Sequence, residues 1–219
     1  MELAVLSNNK RTEDEMGVVM QMFKMGLQQF HLRKPRFSTQ EMEEYIERIP
    51  PRYRKRTIIH SHHELALKYE LGGIHLSKKH RKKRFKRWFR FFWYKRRRRD
   101  LKISRTCHDL ADLLQDRERY DHVLLSPVFQ GISSKSHGGG YSERSICSVL
   151  ERSSYLVYAL GGVTPERLPK LREMGFFGAV LAGAIWEEEN DRIRVFQEAQ
   201  EKIREMDAQS ELGGGSSGT

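Results

Sequence analysis

Short apolar runs alternate with stretches of helical spacing from one end of the chain to the other. The runs are Leu3 to Leu6, Gln29 to Arg33, Thr57 to Ser61, Gly73 to Leu76, Leu101 to Thr106, His122 to Val128, Tyr155 to Leu160 and Ala179 to Ala182. Runs this short, bounded by turn residues, fit buried strands. Between them, Met42, Tyr45, Ile46 and Ile49, or Leu110, Leu113 and Leu114, recur at the helical period. Asp191 to Met206 likewise gathers Ile193, Phe196 and Ile203 on one side. Gly72-Gly73, Gly161-Gly162, Gly175 and Gly178 punctuate the joins. Eight such units predict an α/β fold, a single-domain (β/α)8 TIM barrel over residues 1–206. An open doubly wound sheet shares the alternation, but no dinucleotide-type glycine fingerprint follows the first strand. Residues 207–219 end in Gly213-Gly214-Gly215-Ser216-Ser217-Gly218-Thr219 and read as a flexible tail.

Barrel enzymes place their chemistry at the strand C-terminal ends. Here those ends are polar: Asn8 and Asn9, Arg33 and Lys34, His60 to His63, Ser77 and Lys78, Thr106 to His108, and Ser126. Gly161-Gly162 closes the seventh strand and Ala182-Gly183-Ala184 the eighth. Backbone N–H groups in these two loops are a common phosphate cradle, and glycine lets the anion approach. The same glycines also suit tight turns. Lys135 lies in a Gly- and Ser-rich loop after strand six, which reads as a cationic lid or as a solvated loop.

Histidines are dense: His60, His62 and His63 follow strand three, with His31, His75 and His108 on neighbouring strands. Alternation places His60 and His62 on one face. Imidazoles suit zinc-like ions, but no Cys or carboxylate completes a known spacing, so these residues read as a polar lining and no metal ligand is assigned. Cys107 reads as an inert thiol rather than a nucleophile.

Composition changes this picture in one place. The chain of 219 residues has 40 Lys and Arg against 29 Asp and Glu, a formal charge of +11. Lys78 to Arg99 hold 14 of those cations and no acid, so the remainder is slightly acidic at −3. The basicity is local and does not make the whole protein a nucleic-acid binder. Within that segment Phe85, Trp88, Phe89 and Phe92 fall on one helical face, which suits the barrel-facing side of an outer helix. Phe91, Trp93, Tyr94 and the Lys95 to Arg99 run leave contact with an anionic membrane surface or a nucleic acid open, as well as steering of anionic substrates. Two well-separated cysteines, no basic-then-apolar leader and no run near the roughly 18 apolar residues of a span point to a cytoplasmic protein.

Several motifs occur in an order that resembles the thiamin phosphate synthase family, which includes the thiazole tautomerases. They are Phe30-His31-Leu32-Arg33-Lys34, Gly73-Ile74-His75-Leu76, Thr106-Cys107-His108, Ser126-Pro127-Val128-Phe129, Ala159-Leu160-Gly161-Gly162-Val163-Thr164-Pro165 and Ala182-Gly183-Ala184-Ile185. The resemblance implies a (β/α)8 barrel, small phosphorylated substrates, self-association and magnesium. It implies a transferase that couples a hydroxymethylpyrimidine diphosphate to a thiazole phosphate with release of pyrophosphate. Arg33, Thr106 and Lys135 would grip the diphosphate, and Gly161, Gly162 and Gly183 would hold the thiazole phosphate. Beside what the resemblance implies, a histidine such as His31 or His60 could act as an acid or base near neutral pH, and His31, Lys34, Ser61, His75, His108 and Ser126 line the expected substrate site.

The chain departs from the family pattern where metal would bind. An Asn-Asp pair reads His60-Ser61, and a later aspartate falls in Lys78-Lys79-His80. The second cation of the strand-two motif falls at Pro35, and the tautomerase histidine falls at Ser126. Loss of coupling, leaving a thiazole phosphate binder or a tautomerase-like paralogue, is the alternative.

Overall fold

The computed structural model describes residues 1–10, 12, 14–76, 92–115, 120–129, 141–187 and 192–213. Eight parallel strands close into a barrel in sequence order: β1 (Glu2–Leu6), β2 (Gln29–Leu32), β3 (Thr57–Ile59), β4 (Gly73–Leu76), β5 (Lys102–Cys107), β6 (His122–Leu125), β7 (Val157–Leu160) and β8 (Gly178–Leu181). Closure comes from β8 pairing with β1, with Ala4 opposite Val180. Helices pack outside: α1 (Glu15–Lys24), α2 (Thr39–Glu47), the short α3 (Pro51–Arg54) and α4 (Leu65–Lys68), α5 (92–97), α6 (Ala111–Gln115), α7 (Glu143–Arg152), α8 (Leu168–Glu173), α9 (Gly183–Trp186) and α10 (Arg192–Gly213).

Strand alternation divides the core in two. Outward residues such as Val5, Phe30, Leu32, Ile59, Ile74 and Ile103 meet the helices in one large cluster. Ala4, Leu6, Leu124, Tyr158 and Val180 form a second, smaller cluster inside the barrel. Gly178 is required there, because a Cβ would stand 2.3 Å from the Tyr158 ring. Tyr158 donates to Glu2 at 2.5 Å and accepts from Gln29 at 3.2 Å, closing the N-terminal end of the interior.

Local signals explain α2. Ser38 accepts from the backbone N–H of Glu41 while Glu41 accepts from that of Ser38, a capping box that starts the helix at the barrel mouth. Met42, Tyr45 and Ile46 then face inward, as their spacing predicts.

Three expectations need adjustment. Strand β3 ends at Ile59 and β6 at Leu125, short of Ser61 and Val128. The last helix continues to Gly213, past the expected boundary at Met206, because Asp207 pairs with Arg172 at 2.7 Å and Ser210 accepts from the same guanidinium. Phe92 does not face the barrel: it is 55% exposed, and Tyr94 is the residue of that helix that is buried. No helix among the described residues is long and apolar enough to cross a membrane.

Candidate active site at the barrel mouth

The register of β2 to β6 carries a column of imidazoles into the barrel. His31 lies opposite Ile58, His75 opposite Ser104, and Ser104 opposite His122. His60, one residue past β3, joins them from above. His31 Nδ1 is 3.1 Å from His60 Nε2, one ring donating to the other. The His60 and His75 rings stack with centroids 4.0 Å apart and an interplanar angle of 16°. His75 is gripped on both sides, by Ser104 Oγ on Nδ1 and Thr106 Oγ1 on Nε2, each at 2.9 Å. The His31 ring also meets the His122 ring edge-on at 5.7 Å.

Burial is the main force on these rings. It holds His31, His60 and His75 well below the ordinary imidazole range, reinforced by neighbouring histidines and, for His60 and His75, by Arg33. His122 is pushed down to about 3 by burial and then Lys102. All four are therefore uncharged near neutral pH. His31 Nε2 and His122 Nε2 are buried with no hydrogen-bond partner.

A cationic rim borders this column. Arg33 is exposed, and its guanidinium donates to Asn9 Oδ1 at 2.8 Å. Together with Lys10, Arg36, Phe37 and Glu41 it lines a cleft of about 560 Å³. Lys34 turns the other way. Its ammonium is buried against the Glu15 carboxylate and donates to the carbonyls of Asn8 at 2.7 Å and Lys10 at 3.1 Å. It organises the loop after β1 and is held away from the cleft.

The glycine loops occupy the opposite side of the mouth. Gly161 and Gly162 both have positive φ, 95° and 67°. A Cβ on Gly161 would also stand 2.9 Å from Pro127, so a tight turn and close packing alone require glycine there. The peptide bond from Ser126 to Pro127 is cis. The carbonyl of Ser126 is 2.7 Å from His108 Nδ1, placing those two predicted residues together. Gly183 opens α9, where a Cβ would lie 3.0 Å from a Glu187 carboxylate oxygen.

The structure thus joins His31, His60, His75 and Thr106 in one cluster. Arg33 is close enough to act on two of these rings, and Ser126, His108 and Gly161 form a second group. Ser61 Oγ is buried without a partner. The expected pairing of His60 with His62 on one face fails, because the strand has ended and His62 takes a φ of 51°. Its ring contacts Phe37 O and Thr39 Oγ1 instead. Lys135 and residues 77–91 lie outside the described residues. Ser104 and His122 were missed, although Ser104 stands two residues before Thr106 and His122 four before Ser126, the spacing of a shared strand face.

Magnesium does not fit this cluster. The donors are imidazoles and hydroxyls, and the charged groups that shift the three rings are Arg33 and Lys102, with no carboxylate among them. Magnesium demands oxygen ligands, typically carboxylates.

Comparison with known sequences decides the family. The sequence model of the family described as thiamine monophosphate synthase matches residues 3–185. The chain belongs to that family. A curated relative, "Putative thiamine-phosphate synthase 2" of Aquifex aeolicus (strain VF5), is 23% identical over 179 residues, 80% of this chain and 91% of the relative. Two solved structures share the fold. Thiamine phosphate pyrophosphorylase from Bacteroides thetaiotaomicron aligns with TM-score 0.73 at 23% identity, over 93% of this chain and 98% of that one. The Pyrococcus furiosus thiamine phosphate pyrophosphorylase aligns with TM-score 0.74 at 17% identity, over 93% and 96%. The family match therefore spans all eight strands of the barrel.

Proposed function

We propose that the chain is a transferase of thiamin biosynthesis, coupling a hydroxymethylpyrimidine diphosphate to a thiazole phosphate. The bond from the pyrimidine methylene carbon to the diphosphate oxygen breaks, and pyrophosphate leaves with the electron pair. A bond forms between that carbon and the thiazole nitrogen. The observation that carries this reading is the family match across residues 3–185.

The mouth offers groups suited to each charge. Arg33 clamps the diphosphate, with Lys10 and Arg36 on the same cleft adding field where the leaving group gathers negative charge. Thr106, turned toward the mouth through its bond to His75, supplies a hydroxyl to the same region. His60, uncharged and only half-buried, offers hydrogen bonding to the pyrimidine. Gly161, Gly162 and Gly183 border the thiazole phosphate, and Lys135, from the loop after strand six, adds a cation at the diphosphate. The family's magnesium enters no step here, since the donors present do not suit it.

A catalytically silent barrel that retains thiazole phosphate binding is the second reading, favoured by the lack of carboxylates around the three histidines among the described residues. A cytoplasmic setting and self-association belong to the proposal as well. Contact of Lys78 to Arg99 with an anionic membrane or nucleic acid is supported by exposed Trp93, which carries the Arg97 guanidinium 4.6 Å above its ring.

The test is a coupling assay with both precursors, quantifying thiamin phosphate. Product above background supports the transferase. Absence of product with thiazole phosphate still bound supports the silent barrel.

A further inference from the structure

We propose that His31, His60 and His75 form a three-imidazole site for a transition-metal dication of the zinc class. The candidate ligand nitrogens of these residues all lie within 4.8 Å of one another. In a tetrahedral site with Zn–N bonds of about 2.0–2.1 Å, ligand nitrogens stand roughly 3.3 Å apart. His31 Nδ1 and His60 Nε2 are already 3.1 Å apart. The His60 and His75 rings stack nearly parallel with centroids 4.0 Å apart, so one of them must turn out of the stack to bring its nitrogen onto the ion.

One further observation points to a ligand. Ser104 Oγ holds His75 Nδ1 at 2.9 Å, the outer-shell contact that fixes a ligating imidazole with Nε2 free to face the ion. Thr106, at the half-exposed rim, occupies that Nε2 in the metal-free arrangement. On metal uptake it gives way, and the proton shared by His31 and His60 moves to the outer nitrogen of its own ring. No net proton is released.

The donor set defines the ion. Three neutral imidazoles suit zinc, copper or nickel, whereas magnesium takes oxygen. Three protein ligands leave a fourth position open toward the mouth. Arg33 and Lys102 act on the same rings and oppose a cation, so the affinity falls below that of a carboxylate-lined zinc site. The inference stands whether or not the coupling reaction occurs.

The experiment uses the full chain, stripped of metal by chelation and titrated with Zn2+ by calorimetry and with Co2+ by visible absorption. We expect one Zn2+ per chain, unaffected by a large excess of Mg2+, and intense Co2+ bands of tetrahedral type that Zn2+ displaces. His60→Ala should weaken binding by roughly 10- to 100-fold or more, while His62→Ala binds like the unaltered chain. No stoichiometric uptake overturns the proposal, as does unchanged affinity in His60→Ala. If His60→Ala fails to fold, His60→Gln keeps the bulk. The Co2+ spectrum of the unaltered chain then decides independently, and weak octahedral bands count against the site.

Discussion

The two halves of the barrel interior are built on opposite principles. From β7 through β8 to β1, together with Leu124 of β6, the inward residues are apolar apart from the Tyr158–Glu2 pair at the N-terminal end. From β2 to β5, and at His122, imidazoles and hydroxyls predominate beside Gln29 and Ile58, and two of the imidazoles have a buried nitrogen lacking a partner. A barrel core normally stabilises by filling itself with branched apolar side chains. One half here does so. The other carries unmet polar atoms, an arrangement that costs stability and is retained at functional sites.

The largest contrast should appear with pH. Burial lowers the pKa of His31, His60, His75 and His122 in the folded state, so below the ordinary imidazole value of 6.5 the unfolded chain binds more protons. The stability contributed by neutral burial is present above that value and is lost as pH falls. For His122 the loss runs from 6.5 down to about 3. Urea midpoints measured against pH in metal-free buffer should fall steeply across this window, and His122→Phe should flatten part of the slope. An unchanged profile in His122→Phe would remove that histidine from the account.

Next in size is the apolar half. Leu124 is fully buried, and Leu124→Ala should cost about 2–5 kcal/mol by chemical denaturation without altering the pH slope. A smaller effect, on binding alone, is expected at the rim. Arg33→Ala removes an exposed guanidinium, leaves the thermal midpoint in place and weakens pyrophosphate binding roughly 10- to 100-fold, the scale of a lost charge-assisted contact. Smallest of all is His31→Leu, which replaces a buried imidazole with an unmet nitrogen. Its stability should change by no more than about 1 kcal/mol, because the lost His60 contact is offset by removal of the unsatisfied atom.

Much of the fold was legible because a parallel barrel buries each strand on both faces. Every strand then reads as an apolar run, and glycines mark the joins. Strand ends were less legible. Nothing local in Ile59-His60-Ser61-His62 announces that pairing stops at Ile59, so alternation was carried two residues too far. The convergence of His31, His60 and His75 depends on three strands meeting in register around a closed barrel, and no spacing along the chain encodes it. Arg33 and Lys34 look equivalent in sequence and both lie past the end of β2, yet Lys34 finds the buried Glu15 while Arg33 reaches the cleft. The glycine pair was legible as a turn, and its φ values agree with that reading.

The central claim is that the diphosphate chemistry of this barrel lies on its histidine and arginine side. A crystal structure of the chain with pyrophosphate tests it most directly. The account predicts pyrophosphate in the cleft lined by Lys10, Arg33 and Arg36, next to His60. Pyrophosphate bound elsewhere on the surface, with that cleft empty at saturating concentration, would contradict it.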